Sequence, residues 1–408
     1  DNEILKLVNL PGPKLTNILV ISFISIFFLF KNFNSSFIKL SKSSLLFICC
    51  LVYDCFLAMI IKIIFSLAAS IIKLNIFFLF FLNAYAETVN KKYQPKEKGI
   101  LALMYHRFEE NKYPSTNIKI DVFQEHLNII RENNFSFLNP KNFELEFNKV
   151  SEEKKILLTI DDAFSSFYLN AWPILKKDKI PFILFVSTEA VGNKGYMSWD
   201  EIIEISNEDF VFIGNHSHSH EYLVKYNFEK FEKDILKSIK IFEKNLGYNS
   251  KFFSYPFGEY SLEQKKYITE KFDYAFGQHS GVIDLNKDKY ELPRFPINEK
   301  YGDLERFKFL INLLPIQYKV ITPEEKFLED TNNPPKLVIE FFNDQPKINK
   351  INCFSNEGGD WKNSKLNYKK DKIEVIFTEK FLPRRGRINC SMQDRDGWRW
   401  FGTQFTLN

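Results

Sequence analysis

An acidic pair and a histidine cluster are the groups of this 408-residue chain best suited to chemistry. Asp161 and Asp162 directly follow the apolar run Ile156-Leu-Leu-Thr-Ile160. That run reads as a buried strand, and α/β folds place their sites at the C-terminal ends of strands. Neighbouring side chains there point different ways, so one carboxylate can hold a metal while the other faces a water. A plain Asp pair in a turn is the alternative for this dipeptide taken alone. The second group is Gly214-Asn215-His216-Ser217-His218-Ser219-His220, which holds three of the six histidines and also follows a predicted strand. On a helical turn His216 and His220, four residues apart, share a face and His218 points away; on an extended strand all three share a face. The continuation Glu221-Tyr222-Leu223 favours the turn. Two imidazoles and one carboxylate make a facial N,N,O set suited to a divalent metal with open positions.

The surrounding pattern is that of β/α units on a mostly parallel sheet, apolar runs alternating with amphipathic ones. Strands are expected at 99–105, 155–160, 181–187, 210–213, 252–255, 274–276 and 292–295. Helices are expected at 122–133, with Phe123, Leu127 and Ile130 at helical spacing, and at 168–178, 199–206 and 228–246, the last ending at the C-cap Gly247. Near residue 320 the pattern changes to short strands, at 336–342, 350–354, 372–377, 387–392 and 398–406, separated by turn-rich segments. A β-rich accessory domain over 321–408 is therefore predicted after a 98–320 domain, with 87–97 as a polar linker.

Five segments resemble the polysaccharide deacetylases of the NodB-homology type, carbohydrate esterase family four. Thr159-Ile-Asp161-Asp162-Ala163 looks like the first motif, His216-Ser-His-Ser-His220 matches the H-[S/T]-x-x-H motif, and Ser254-Tyr-Pro-Phe-Gly258 resembles the third. Met197-Ser-Trp-Asp200 and Met104-Tyr-His-Arg107 are similar to recurrent segments of such domains. The resemblance spans roughly residues 98–315. It implies an α/β fold, a distorted (β/α)7-type barrel, followed here by the small all-β domain. It also implies a Zn²⁺ ion or another divalent transition metal held by Asp162, His216 and His220, with Asp161 as the general base and a backbone N–H near Phe257 stabilising the oxyanion. The activity implied is hydrolysis of N-acetyl groups on a GlcNAc-type polysaccharide. O-acetyl ester hydrolysis on a glycan and non-catalytic glycan binding are the alternatives.

The chain departs from the family pattern at three places. Ala163 replaces the usual Gly after the acidic pair, tolerable if its φ is negative. Ser254 or Tyr255 stands where an Arg often orients the base, and Arg294 is the candidate replacement, a surface ion pair being the other reading. The usual late catalytic acid has only His279 to fill it, either as acid or as a structural histidine. His106, after the first strand, is a second candidate for the acid or for substrate contact, and His126 reads as surface or packing. Trp199, Tyr255, Pro256 and Phe257 lie near motifs as substrate-binding candidates, with core packing as the rival use. Trp398-Arg-Trp400-Phe401 carries alternating aromatics that suit either a core or a glycan face.

The net charge of +4 resides in residues 1–86, which hold seven lysines and three acids. The neutral remainder argues against a nucleic-acid partner and suits an acetylated glycan. Residues 1–86 are strongly apolar. Lys73, an apolar core and Ala84-Tyr85-Ala86 follow the pattern of a secretory signal cleaved after Ala86, with Met59 as a plausible start; one or two membrane helices tethering the enzyme are the alternative. Either reading puts the enzyme outside the cytoplasm, periplasmic, secreted or membrane-anchored. Cys353 and Cys390 are the two cysteines beyond this region, placed to form one disulfide or to remain buried thiols.

Overall fold

The computed structural model describes residues 92–407, so the signal or anchor reading of the N-terminal region lies outside the described residues. The uninterrupted apolar runs form parallel strands buried on both faces, as parallel sheets require. These are β1 (Ile100–Tyr105), β2 (Lys155–Asp161), β3 (Phe182–Val186), β4 (Val211–Asn215), β5 (Phe252–Ser254), β6 (Tyr274–Phe276) and β7 (Phe295–Pro296). Their order in the sheet is β7-β1-β2-β3-β4-β5-β6, with Ser136–Phe137 pairing beside β2. The sheet curls far enough for one short segment to touch both edges. Leu292 bridges Phe276 of β6, and Phe295 pairs with Leu103 of β1. This is the distorted barrel expected, and every strand delivers its C-terminal end to one mouth.

Helices cover the outside of the sheet. The helix Phe228–Leu246 buries Phe231, Ile235 and Phe242 on one face; Asn227 caps its start by accepting from the Lys230 amide, and Gly247 ends it at φ 80°. The helix Trp199–Ser206 opens with a reciprocal capping box between Ser198 and Glu201. Helices at Leu262–Thr269 and Leu304–Ile311 add to those expected, and the segment at 168–178 begins with a π-turn, Phe167–Ala171.

The C-terminal part forms two further sheets. One is antiparallel, in the order Val320–Thr322, Leu337–Glu340, Lys372–Ile376, Lys365–Tyr368. The other centres on the long hairpin Arg385–Asp394 and Gly397–Leu407. Their inward faces share one apolar core that includes Leu337, Ile339, Ile373, Ile388 and Phe405. Cys353 and Cys390 face each other across adjacent antiparallel strands and are bonded as a disulfide. These sheets continue into the barrel: Leu314–Pro315 pairs with Arg399 and Trp400, Gly281 bridges Phe401, and the Trp400 indole donates to Ser280 Oγ at 2.9 Å. Among the described residues, no helix is long and apolar enough to cross a membrane.

Candidate active site at the barrel mouth

Asp161 ends β2, and Asp162 begins the turn that follows. The chain reverses through two consecutive left-handed residues, Asp162 (φ 73°) and Ala163 (φ 52°). The condition of a negative φ at Ala163 is not met: the position keeps the conformation that a glycine adopts without strain. The turn swings the Asp162 carboxylate away from Asp161 and toward the loop after β4.

That loop is not the helical turn expected. Residues 216–220 are irregular, with Ser217 at φ 70° and His220 at φ 53°. Side chains hold this shape. Asn215 Oδ1 accepts from the Ser217 amide at 2.9 Å, and Ser217 Oγ accepts from the His220 amide at 3.1 Å. Asp234, from the long helix, accepts from the His218 and Ser219 amides at 2.8 and 3.0 Å. Gly214 is required just upstream, because a Cβ there would run into the Phe185 ring. The two outer histidines converge all the same. His216 Nε2 and His220 Nε2 are 3.2 Å apart, and Asp162 Oδ1 lies 3.6 and 3.2 Å from them. His218 turns away to Thr188 Oγ1, 2.8 Å from its Nδ1.

These separations suit a metal. Zinc bonds of ~2.1 Å in tetrahedral geometry put ligand atoms about 3.4 Å apart. Asp162 Oδ1 is buried without a hydrogen-bond partner, and the three ligand atoms all lie within 4.8 Å of one another. His216 Nδ1 sits 2.7 Å from the Ser254 carbonyl, which fixes its proton there and leaves the Nε2 lone pair facing the cluster. Burial, outweighing the nearby carboxylates, lowers the His216 pKa to about 4, so the ring is neutral as a ligand must be.

Asp161 is enclosed beside this cluster. Arg294 meets it with two parallel bonds, Nη1 to Oδ1 at 2.7 Å and Nη2 to Oδ2 at 2.9 Å. The guanidinium spends its other donors on Thr159 Oγ1, Ser254 Oγ and the Gly277 carbonyl. Arg294 is fully buried, which overturns the surface ion-pair reading. Burial alone would raise the Asp161 pKa, but Arg294 first and then His216 and His106 pull it down to about 2.

His106, at the end of β1, places Nε2 4.0 Å from Asp161 Oδ2 and keeps its ring partly open to solvent. His279 is not brought to this cluster. Burial holds its pKa down to about 4, and its charged neighbours are Glu291, Lys326, Lys287 and Lys265, a group on the flank toward the C-terminal sheets. Of the two histidines considered for the acid, His106 is the one that lies beside Asp161. His126 is wholly buried, stacked on Phe307 with ring centroids 3.8 Å apart.

Of the aromatic candidates, Phe257 lines the mouth, its ring 4.7 Å from that of His220. Tyr255 is core, packed on Phe253 and Tyr260, and Pro256 is buried beneath the turn. Trp199 packs edge-on against Phe242 behind the sheet rather than at the mouth. Three residues at the rim escaped the sequence reading. Tyr196, bridged to Phe164, has its phenol pKa raised by burial and then by the charge of Asp162. Tyr222 packs against Phe257, and Arg384 lies over both rings. No motif marks Tyr196 or Tyr222, and Arg384 stands far along the chain in a segment read as accessory.

Residues 148–276 match the family model described as polysaccharide deacetylase. The chain is similar to the poly-beta-1,6-N-acetyl-D-glucosamine N-deacetylase of Staphylococcus aureus, 26% identical over 239 residues, covering 51% of this chain and 82% of that protein. Among solved structures it resembles IcaB from Ammonifex degensii, with 23% identity, TM-score 0.48 and coverage of 52% of this chain and 97% of that one. It also resembles the Streptococcus pyogenes deacetylase PplD, with 21% identity, TM-score 0.46 and coverage of 49% and 93%. The matched span holds both acids of the pair, both converging histidines and the 254–258 turn, and this part of the chain carries the match to a polysaccharide deacetylase domain.

Proposed function

We propose that the protein is a metal-dependent hydrolase that removes N-acetyl groups from a GlcNAc-type polysaccharide outside the cytoplasm. The observation that carries this reading is the convergence of Asp162, His216 and His220 beside a separate, ionised Asp161. Asp162, His216 and His220 would hold a divalent cation, Zn²⁺ or another transition metal, which when bound polarises the acetyl carbonyl and makes water more acidic. Asp161, held in place by Arg294, takes the proton of the attacking water. Addition to the amide carbon gives a tetrahedral oxyanion, and the Phe257 amide on the 255–259 turn is the donor assigned to it. His106 then protonates the departing amine, and C–N cleavage leaves acetate and a free glucosamine unit. Phe257, Tyr222 and Tyr196 form an aromatic rim suited to sugar rings.

The substrate class rests on the resemblance of the motifs and on the Staphylococcus aureus relative, which by its name acts on poly-β-1,6-N-acetylglucosamine. The location outside the cytoplasm rests on the leader pattern ending at Ala86. Acetate release is to be measured from poly-β-1,6-N-acetylglucosamine, chitin oligomers and peptidoglycan, with and without chelator. Chelator-sensitive release from one of these is expected, and Asp161→Asn should abolish it while retaining metal. Release confined to O-acetylated glycans would give the esterase reading instead, and no release from any acetylated glycan would overturn both.

A further inference from the structure

The third-motif turn is built in a costly conformation. Phe257 sits at φ 60°, ψ 5°, a left-handed position that bulky side chains rarely occupy. Such a residue persists only where its surroundings over-determine it. The barrel supplies part of that restraint: the Gly258 and Glu259 amides donate to the Tyr255 and Pro256 carbonyls at 2.8 and 3.1 Å. The rest comes from the C-terminal sheets. Gln404 Nε2 donates to the Phe257 and Gly258 carbonyls at 3.4 and 3.3 Å. Glu259, 2% exposed, is paired by Arg384 Nε at 2.9 Å and Arg385 Nε at 2.7 Å. The Arg384 guanidinium lies 3.4 Å above the Tyr222 ring and 4.5 Å above the Phe257 ring, and its Nη1 bonds the Tyr222 hydroxyl. Phe257 in turn packs on His220. A continuous chain of contacts therefore runs from the hairpin Arg385–Asp394/Gly397–Leu407 to a residue of the metal cluster.

We infer that the C-terminal sheets are a working part of the deacetylase site, with Arg384 and Gln404 as positioning residues that hold the 255–259 turn and its Phe257 amide in the productive geometry. It gives the β-rich C-terminal domain a part in the site, and it rests on the deacetylase reading for its catalytic consequence only. Arg384 acts through Phe257 and Tyr222, so its loss loosens the turn without removing any group of the metal set. A misplacement of about 1 Å at such a donor is enough to cost on the order of 100-fold in rate.

The test uses the full chain. Arg384→Ala, Arg384→Lys, Gln404→Ala and, as control, the highly exposed Arg395→Ala are compared in two ways. The first is hydrogen exchange of the amides at 255–259 in the metal-loaded protein. Exchange there should speed up about tenfold or more in Arg384→Ala and Gln404→Ala, with protection of β2 and β4 unchanged. The second is steady-state acetate release. Arg384→Ala should lower kcat by roughly tenfold or more with KM within about twofold and with zinc affinity retained. Arg384→Lys, which keeps a cation over the rings, should recover part of both effects, and Arg395→Ala neither. Unchanged exchange at 255–259 in a folded Arg384→Ala overturns the inference, whatever the activity; so does faster exchange with an unchanged kcat. If the wild-type protein releases no acetate from any glycan while exchange responds as expected, the deacetylase reading fails and the structural half of the inference stands.

Discussion

Arg294 and Asp161 face each other with two parallel hydrogen bonds of 2.7 and 2.9 Å, both side chains sealed from solvent. The arginine comes from the short segment that closes the barrel between β6 and β1. The Ser254 hydroxyl accepts one of its remaining donors at 2.8 Å. Removing one partner of a buried pair strands the other charge. Arg294→Ala should therefore destabilise the fold by about 3–5 kcal/mol. Arg294→Lys keeps the charge but loses the planar fork. It should remain folded with a lower kcat/KM, and the acid limb of its pH profile should move up, because Asp161 would no longer be held near 2. Denaturant melts and kcat/KM measured against pH check both; an unmoved acid limb in Arg294→Lys would remove Asp161 from the role of base.

Ala163 carries a second consequence. At φ 52° its Cβ is strained, and in this region an L-residue gives up about 1–2 kcal/mol relative to glycine. Part of that is offset by the extra freedom glycine has in the unfolded chain. Ala163→Gly should stabilise the protein by up to ~1 kcal/mol, read as a higher urea midpoint at constant m-value. Activity should be retained, since the Ala163 carbonyl still accepts from the Met197 amide. A destabilised glycine variant would show that the turn is not strained.

The parallel strands were legible because burial on both faces leaves uninterrupted apolar runs, as at Ile156–Ile160, and the long helix because Phe231, Ile235 and Phe242 recur at its period. The acids and histidines were legible as residue types at strand ends. What the residues could not disclose was backbone shape between elements. The continuation Glu221-Tyr222-Leu223 suggested a helical turn for 216–220, whereas the loop is set by Asn215, Asp234 and two left-handed residues. His279 was the one late histidine available to the acid role, but β6 and the closing segment carry it to the flank beside Glu291. Arg384 reaches the mouth only because the C-terminal hairpin docks on the 255–259 turn, a tertiary fact with no local signal.

The dependence of the histidine loop on Asp234 gives a third expectation. Its two carboxylate oxygens take the His218 and Ser219 amides, and the same helix also braces Asn215 through Ser238. Asp234→Asn leaves one acceptor and substitutes a donor that faces an N–H. Loss of such a support typically weakens a metal site by about 10–100-fold. Zinc affinity measured by competition with a chromogenic chelator should fall within that range, and kcat at saturating zinc should change less. Unchanged affinity would mean that the Asn215–Ser217 and Ser217–His220 bonds set the loop without Asp234.

Stability should depend on pH through a histidine remote from the chemistry. His126 packs flat on Phe307, with its Nε2 2.7 Å from the Gly302 carbonyl and its Nδ1 3.2 Å from the Tyr105 hydroxyl. Burial is the main cause that lowers its pKa to about 4, opposed by the Gly302 bond and assisted by Arg306. In the unfolded chain the ring titrates near 6.5. Between these values the unfolded state binds the extra proton, so unfolding free energy rises with pH there. The contribution is complete above about 6.5 and is lost as pH falls toward 4; its full size is on the order of 3 kcal/mol. His216 and His279 are lowered in the same direction, also to about 4, His218 is lowered too, and Glu97, raised to about 7 by burial, opposes them, so the wild-type slope is a sum. His126→Gln, which keeps a donor for Gly302, should flatten the stability curve between pH 4 and 6.5 without abolishing zinc binding. Urea unfolding at four or five pH values in that window gives the slope directly, and an identical slope in the variant would assign the effect to the other shifted groups.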